Sequence, residues 1–134
     1  MDQYQKENSN IECYFGMTVM SLNYLDFPQT IKQLQSHFPN IGFDVYHLNQ
    51  PKQLLVQGLT NEQLQLGLQR MEEVYATLDQ QIQKDLAYTL KYYKDVASWG
   101  SNKTTRQMLK EYVQYIDKAR NININNYIPE LQII

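Results

Sequence analysis

Apolar positions recur along this chain with two different periods. Between Ile11 and Leu25, period-two counting puts Ile11, Cys13, Phe15, Met17 and Val19 on one face, and the β-branched and aromatic content favours a strand. A helical count through Ile11, Phe15, Thr18, Leu22 and Leu25 competes with it. Asp26-Phe27-Pro28 opens a helix: Asp26 stands where a cap belongs, and Pro28 sits in the first turn, where its missing N–H costs nothing. Ile31, Leu34 and Phe38 form its apolar stripe, and Pro39-Asn40 ends it. Phe43, Val45 and His47 alternate with Asp44, Tyr46 and Leu48, so 42–48 reads as a strand. Asn49 to Lys52 is a turn, and Leu54-Leu55-Val56 with Gly58 predicts a further strand, which would make 42–58 a hairpin.

The pattern then becomes helical. Thr60 and Gln63 form a capping box, in which hydroxyl and side-chain amide satisfy each other's backbone N–H. Leu64, Leu68, Met71, Tyr75, Leu78 and Ile82 follow at steps of 4, 3, 4, 3 and 4, and the stripe continues through Leu86, Leu90 and Tyr93 to Ala97. A single helix over 61–98 would be about 55 Å long, more than a compact domain of this size spans. A break at 78–80, with Asp79 capping a second helix, is therefore expected. Six heptad positions with a tyrosine among them make a poor coiled-coil seam, so the stripe reads as the buried face of one domain. Gly100 to Lys103 is a loop. Residues 103–120 form the last helix, with Met108 or Leu109, Tyr112, Ile116 and Ala119 inward.

These elements run β-α-β-β-α-α-α. The expected fold class is α+β and helix-dominated: a small N-terminal sheet (β-α-β-β) packed with a C-terminal three-helix region. Residues 1–134 read as a single domain. In it 1–10 are polar and frayed, 11–59 are the α/β part, 60–120 the helical part, and 121–134 a docked tail ending in Leu131, Ile133 and Ile134.

Composition changes the picture in one respect. With 17 Gln and 11 Asn, amides stand in for charges, which make up 19% of the chain against about 25% in an average soluble protein. An apolar content of 43% excludes disorder, 5 Gly and 4 Pro exclude a collagenous or linker chain, and a net charge of −2 excludes a histone-like polycation. The lone Cys13 suits a reducing compartment. The N-terminus lacks the positive region of a secretory signal, and the 11–25 apolar stretch falls short of the roughly 20 residues that span a bilayer. A cytoplasmic protein without a membrane segment is expected, and the low-GC flavour of the residue usage hints at a bacterial or mobile-element source.

Charge is segregated. Residues 1–83 hold 4 basic and 9 acidic side chains, whereas 84–120 hold 8 basic and 4 acidic ones. The basic region is also aromatic. Lys84, Tyr88 and Lys91 share a helix face with Tyr92 and Trp99 nearby, and Lys103, Arg106 and Lys110 share a face of the last helix. These eight residues are the candidate partner-binding set. Its rivals are ordinary ones: solvated lysines, rings that cover the core, Trp99 among them, and pairing of the basic segment with the acidic one.

Motifs that carry catalysis are missing. There is no phosphate-cradling glycine loop, no Gly-x-Ser-x-Gly elbow and no His-Glu-x-x-His, and two histidines with one cysteine make no standard zinc site, so no catalytic, cofactor-binding or metal-binding residue is assigned. His37, Asp44 and His47 are the one titratable group worth weighing, but an odd offset on a strand puts Asp44 and His47 on opposite faces. Cys13, in an apolar stretch, reads as an inert thiol. The expected function is a non-enzymatic protein-binding module, a small cytosolic inhibitor or immunity-type protein that masks a partner, acidic at the contact. The alternative is a nucleic-acid-associated accessory protein using the 84–120 helices, and an enzyme around His37, Asp44 and His47 ranks third. A homo-oligomer fits either of the first two.

Overall fold

The structure, a computed structural model, describes residues 12–131. The fraying expected for 1–10 and the docking expected for Ile133 and Ile134 lie outside them. Strand β1 (Tyr14–Val19), helix α1 (Phe27–His37) and strand β2 (Gly42–His47) form a β-α-β unit. The strands pair in parallel, from Tyr14 beside Gly42 to Val19 beside His47. Parallel neighbours need a crossover of a dozen residues or more, which the segment carrying α1 provides. Phe15, Met17, Val19, Phe43 and Val45 turn to the core, while Tyr14, Gly16, Asp44 and Tyr46 are exposed. Period two was thus the right reading of β1, which stops at Val19.

Residues 21–26 are turns held by Asn23, whose Oδ1 accepts from Met20 N–H at 2.8 Å and whose Nδ2 donates to the Thr18 carbonyl at 2.7 Å. This corrects the expected start of α1. Asp26 makes no side-chain cap, because it is already in the helical region, with φ −92° and ψ −15°. The Phe27 N–H instead finds the Asn23 carbonyl at 2.8 Å.

The third strand is a second correction. Lys52–Leu54 and Val56–Gly58 are two 3₁₀ turns, so there is no 42–58 hairpin and the described sheet has two strands. The backbone of this apolar run finds its partners elsewhere. Leu54 and Leu55 N–H close on Pro51 and Lys52, the Leu54 carbonyl takes Ser21 N–H at 2.9 Å, and the Gln57 carbonyl takes Asn102 N–H at 2.8 Å. Val56 and Gly58 are buried, and a Cβ on Gly58 would stand 3.1 Å from Leu109. The segment is a pad for the last helix.

Helices α2 (Asn61–Thr77), α3 (Gln80–Trp99) and α4 (Lys103–Arg120) follow. The Thr60–Gln63 capping box forms, and the break falls at Leu78-Asp79, where Asp79 Oδ1 accepts from Ile82 N–H at 3.0 Å. Tyr75 and Gln83 lock this corner: the phenol donates to the Gln83 carbonyl and the Gln83 amide to the Tyr75 carbonyl. The heptad stripe is core. Leu64, Met71, Leu78, Ile82, Leu86 and Tyr93 are buried in one cluster with Val19, Ile31 and Phe43. In α4, Leu109 and Val113 are buried and Tyr112 and Ile116 half-buried, while Ala119, expected inward, is exposed. At the centre Tyr24 stacks on Tyr93, centroids 4.3 Å apart. The Tyr93 hydroxyl donates to the Tyr24 carbonyl at 2.7 Å, and the Tyr24 hydroxyl donates to the Leu64 carbonyl at 2.8 Å. Burial pushes both phenols up.

A short helix α5 (Ile124–Tyr127) and a 3₁₀ turn (Pro129–Leu131) return the tail to α2. Leu131 is buried, Gln63 Nε2 donates to its carbonyl at 2.6 Å, and Arg70 holds Glu130 through two hydrogen bonds at 2.6 and 2.8 Å. These contacts hold Glu130 and Leu131 against α2.

Candidate functional site

Five of the eight candidate residues lie on α3. At 100° per residue, Lys84, Tyr88, Lys91, Tyr92 and Trp99 fall within roughly 100° of arc along about 22 Å of helix. The opposite face of α3 carries Leu86, Thr89, Tyr93 and Val96, all buried. Burial of that face orients the first one outward. Tyr88 is 73% exposed and Trp99 67%, so Trp99 is not a core residue. Lys84 and Lys91 are exposed.

Tyr88 is not free to wave. The imidazole of His47, at the end of β2, lies parallel to Tyr88 (centroids 5.3 Å, 7°) and to Tyr92 (4.1 Å, 12°). His47 Nε2 is 3.0 Å from Thr89 Oγ1, which fixes the ring from below. Burial lowers the His47 pKa and pushes the Tyr92 phenol up to about 12, so both rings are uncharged at neutral pH. Lys91 pairs with Asp95 at 2.7 Å, which raises the ammonium's pKa. Tyr46, 54% exposed, lies one position before His47 on β2, and its hydroxyl donates to Asn49 at 3.0 Å.

The other three candidates are not brought onto this ridge by a helical hairpin. Helix α4 packs on the 52–58 pad, whereas α3 packs on α2 and β2. Lys103 is exposed at the start of α4, and Lys110 is half-buried. Arg106 turns inward, and its Nη1 donates to the Gly58 carbonyl at 3.0 Å. Among the described residues no ion pair joins the basic residues of 84–120 to the acids of 12–83.

His47 belongs to the ridge, a place the sequence reading did not give it, while Tyr46 faces the other side of the sheet. The one available signal was the pairing of a strand histidine with two tyrosines four apart. Asp44 and His47 fall on opposite sheet faces, Asp44 exposed and His47 half-buried. His37 sits at the end of α1 with Nδ1 2.8 Å from the Gln33 carbonyl. Among the described residues no three of His, Cys, Asp and Glu gather closely enough to hold a metal, and no helix is long and apolar enough to cross a membrane. No protein-family model, no curated protein and no solved structure matches the chain.

Proposed function

We propose that the protein is a non-enzymatic protein-binding module, a small cytosolic inhibitor or immunity-type protein that masks an acidic surface of a partner with the outer ridge of α3. One observation carries the reading: Tyr88 stands exposed yet held flat against His47, between Lys84 and Lys91. An exposed ring already ordered in the free protein loses little entropy on binding, and tyrosine and tryptophan with cations at the edge are typical of binding hot spots. Lys84 makes no described ion pair, which leaves it to a second molecule, whereas Lys91 is paired within α3 with Asp95.

A nucleic-acid backbone is the second reading, because Tyr88 and Trp99 could stack on bases beside the lysines. It is weaker on one count: Arg106 of α4 is already engaged by the Gly58 carbonyl.

Affinity enrichment from the source cells with the wild type and a Lys84→Ala/Tyr88→Ala/Lys91→Ala variant tests the proposal. All three side chains are exposed, so the melting temperature should hold within a few degrees. The expected result is a protein retained by the wild type and depleted at least tenfold with the variant, about 1.4 kcal/mol or more. Equal retention by both would sink the proposal. Retained nucleic acid whose binding collapses between 50 and 200 mM salt would transfer it to the alternative.

A further inference from the structure

The sheet has an open edge. In the parallel ladder Gly42 N–H binds the Cys13 carbonyl and Leu48 N–H the Val19 carbonyl. By the alternation of such ladders, Cys13, Phe15, Met17 and Val19 spend their backbone groups on β2, and Tyr14, Gly16 and Thr18 turn theirs outward. Of these, the Thr18 carbonyl alone meets a described partner, Asn23 Nδ2. Among the described elements, β1 packs chiefly on β2. On the outer face of the sheet, a Cβ built on Gly16 meets nothing within 4 Å. Natural edges are guarded by charges, prolines or bulges, and residues 13–22 contain no charged residue and no proline.

The sheet's outer face says what would dock there. Gly16 lies beside Asp44, and Asp44 is exposed with no described hydrogen bond or ion pair. The neighbouring row is closed by Tyr14, whose ring leans over Gly42, and the row after by Tyr46. No lysine or arginine occurs in either strand. The result is a notch with a bare glycine floor, a carboxylate on its far side and a tyrosine at either end.

We infer that β1 accepts an extended segment of a partner protein as a third strand, with an arginine or lysine of that segment lying across Gly16 to Asp44. Main-chain hydrogen bonds to Tyr14, Gly16 and the Thr18 N–H supply affinity, and the cation supplies specificity. Strands lie about 4.8 Å apart, so Asp44 is roughly 10 Å from an added strand, the reach of an extended arginine plus a hydrogen bond. The missing side chain at position 16 keeps that path clear. This surface is on β1, not on the α3 ridge, and the inference stands or falls independently of the ridge.

Amide chemical shifts of the full chain, titrated with a capped Thr-Val-Thr-Arg-Thr-Val-Thr peptide and its central-glutamate counterpart, test it. The arginine peptide should shift Tyr14, Gly16 and Thr18 saturably, and bind about fivefold better than the glutamate peptide, the scale of an exposed ion pair. Asp44→Asn should erase that preference. Gly16→Val, strand-compatible and facing solvent, should erase it too while the protein still folds. Equal binding of both peptides, shifts confined to other regions, or no response at millimolar peptide would overturn the inference. Concentration-dependent shifts of the same three amides without peptide would also overturn it, by giving the edge to a second copy of the chain.

Discussion

At Gly67, helix α2 and the ring of Tyr24 compete for one volume. A Cβ there would overlap the edge of the Tyr24 ring, which is fully buried between Tyr93 and α2. The glycine lets the phenol reach the Leu64 carbonyl. Gly67→Ala gains about 1 kcal/mol of helix propensity but overpacks the core at about 3 kcal/mol or more. A net loss of about 2 kcal/mol is expected, read as a lower urea midpoint at unchanged slope. Unchanged or increased stability would mean that Tyr24 has room to move. His47 supplies a pH dependence. Burial disfavours its charged form in the folded state, so its folded pKa lies below the ordinary 6.5. Above that value both states are neutral there. As pH falls through 6.5 the unfolded chain takes the proton first, and stability drops until the folded imidazole is also protonated. Urea midpoints at pH 8, 6.5 and 5 should therefore fall less in His47→Gln than in the wild type. The Arg70–Glu130 pair acts in a lower window, because Arg70 holds the Glu130 carboxyl below its usual range. Parallel profiles down to pH 5 would deny His47 the role.

Among the elements, the α2–α3 corner is held by local bonds. Asp79 caps α3, so Asp79→Ala should cost about 1 kcal/mol, measured by denaturation against a Gln80→Ala control. A loss no larger than the control's would show that Tyr75 and Gln83 hold the corner without the cap. Gln63 joins two elements, since its amide closes the capping box and reaches the Glu130 and Leu131 carbonyls. Gln63→Ala should raise hydrogen exchange at 128–131 while α3 stays protected, and unchanged exchange there would place the tail's anchorage on Leu131 and Arg70. These elements also mark what a sequence conveys. The break at Leu78-Asp79 and the Thr60 box were legible because their signals are local: a helix too long for the domain, and two side chains three apart. The 54–58 segment was not legible. A short apolar run ending in glycine looks like a strand, and what turns it into a pad is the carbonyl demand of Asn102 and Arg106, 45 residues or more downstream of Gln57 and 48 of Gly58. Asp26 was misread for a related reason, because Asn23 had already organised the turn before it.

For the whole molecule, segregated charge proved more informative than net charge. The basic helices do not neutralise the acidic part by described ion pairs, and their outward face carries rings held in place by a strand. The α3 half of the candidate site was readable because helical periodicity decides which side chains share a face. The α4 half was not, since no local pattern announces that Arg106 turns toward Gly58, or that His47 comes to rest on Tyr88 and Tyr92 from 41 and 45 residues upstream. The Tyr88–His47 tier also implies that binding should be only mildly sensitive to salt. Rings would carry most of the energy, and the rim lysines would act chiefly on the rate of encounter. The most direct test of the α3 ridge as the binding surface is hydrogen exchange and side-chain footprinting of the chain with its captured partner. Protection centred on Tyr88, with Lys84 and Trp99 shielded and the outer face of α4 unchanged, is the expected result. Protection confined to 103–120, or none on α3, would contradict it.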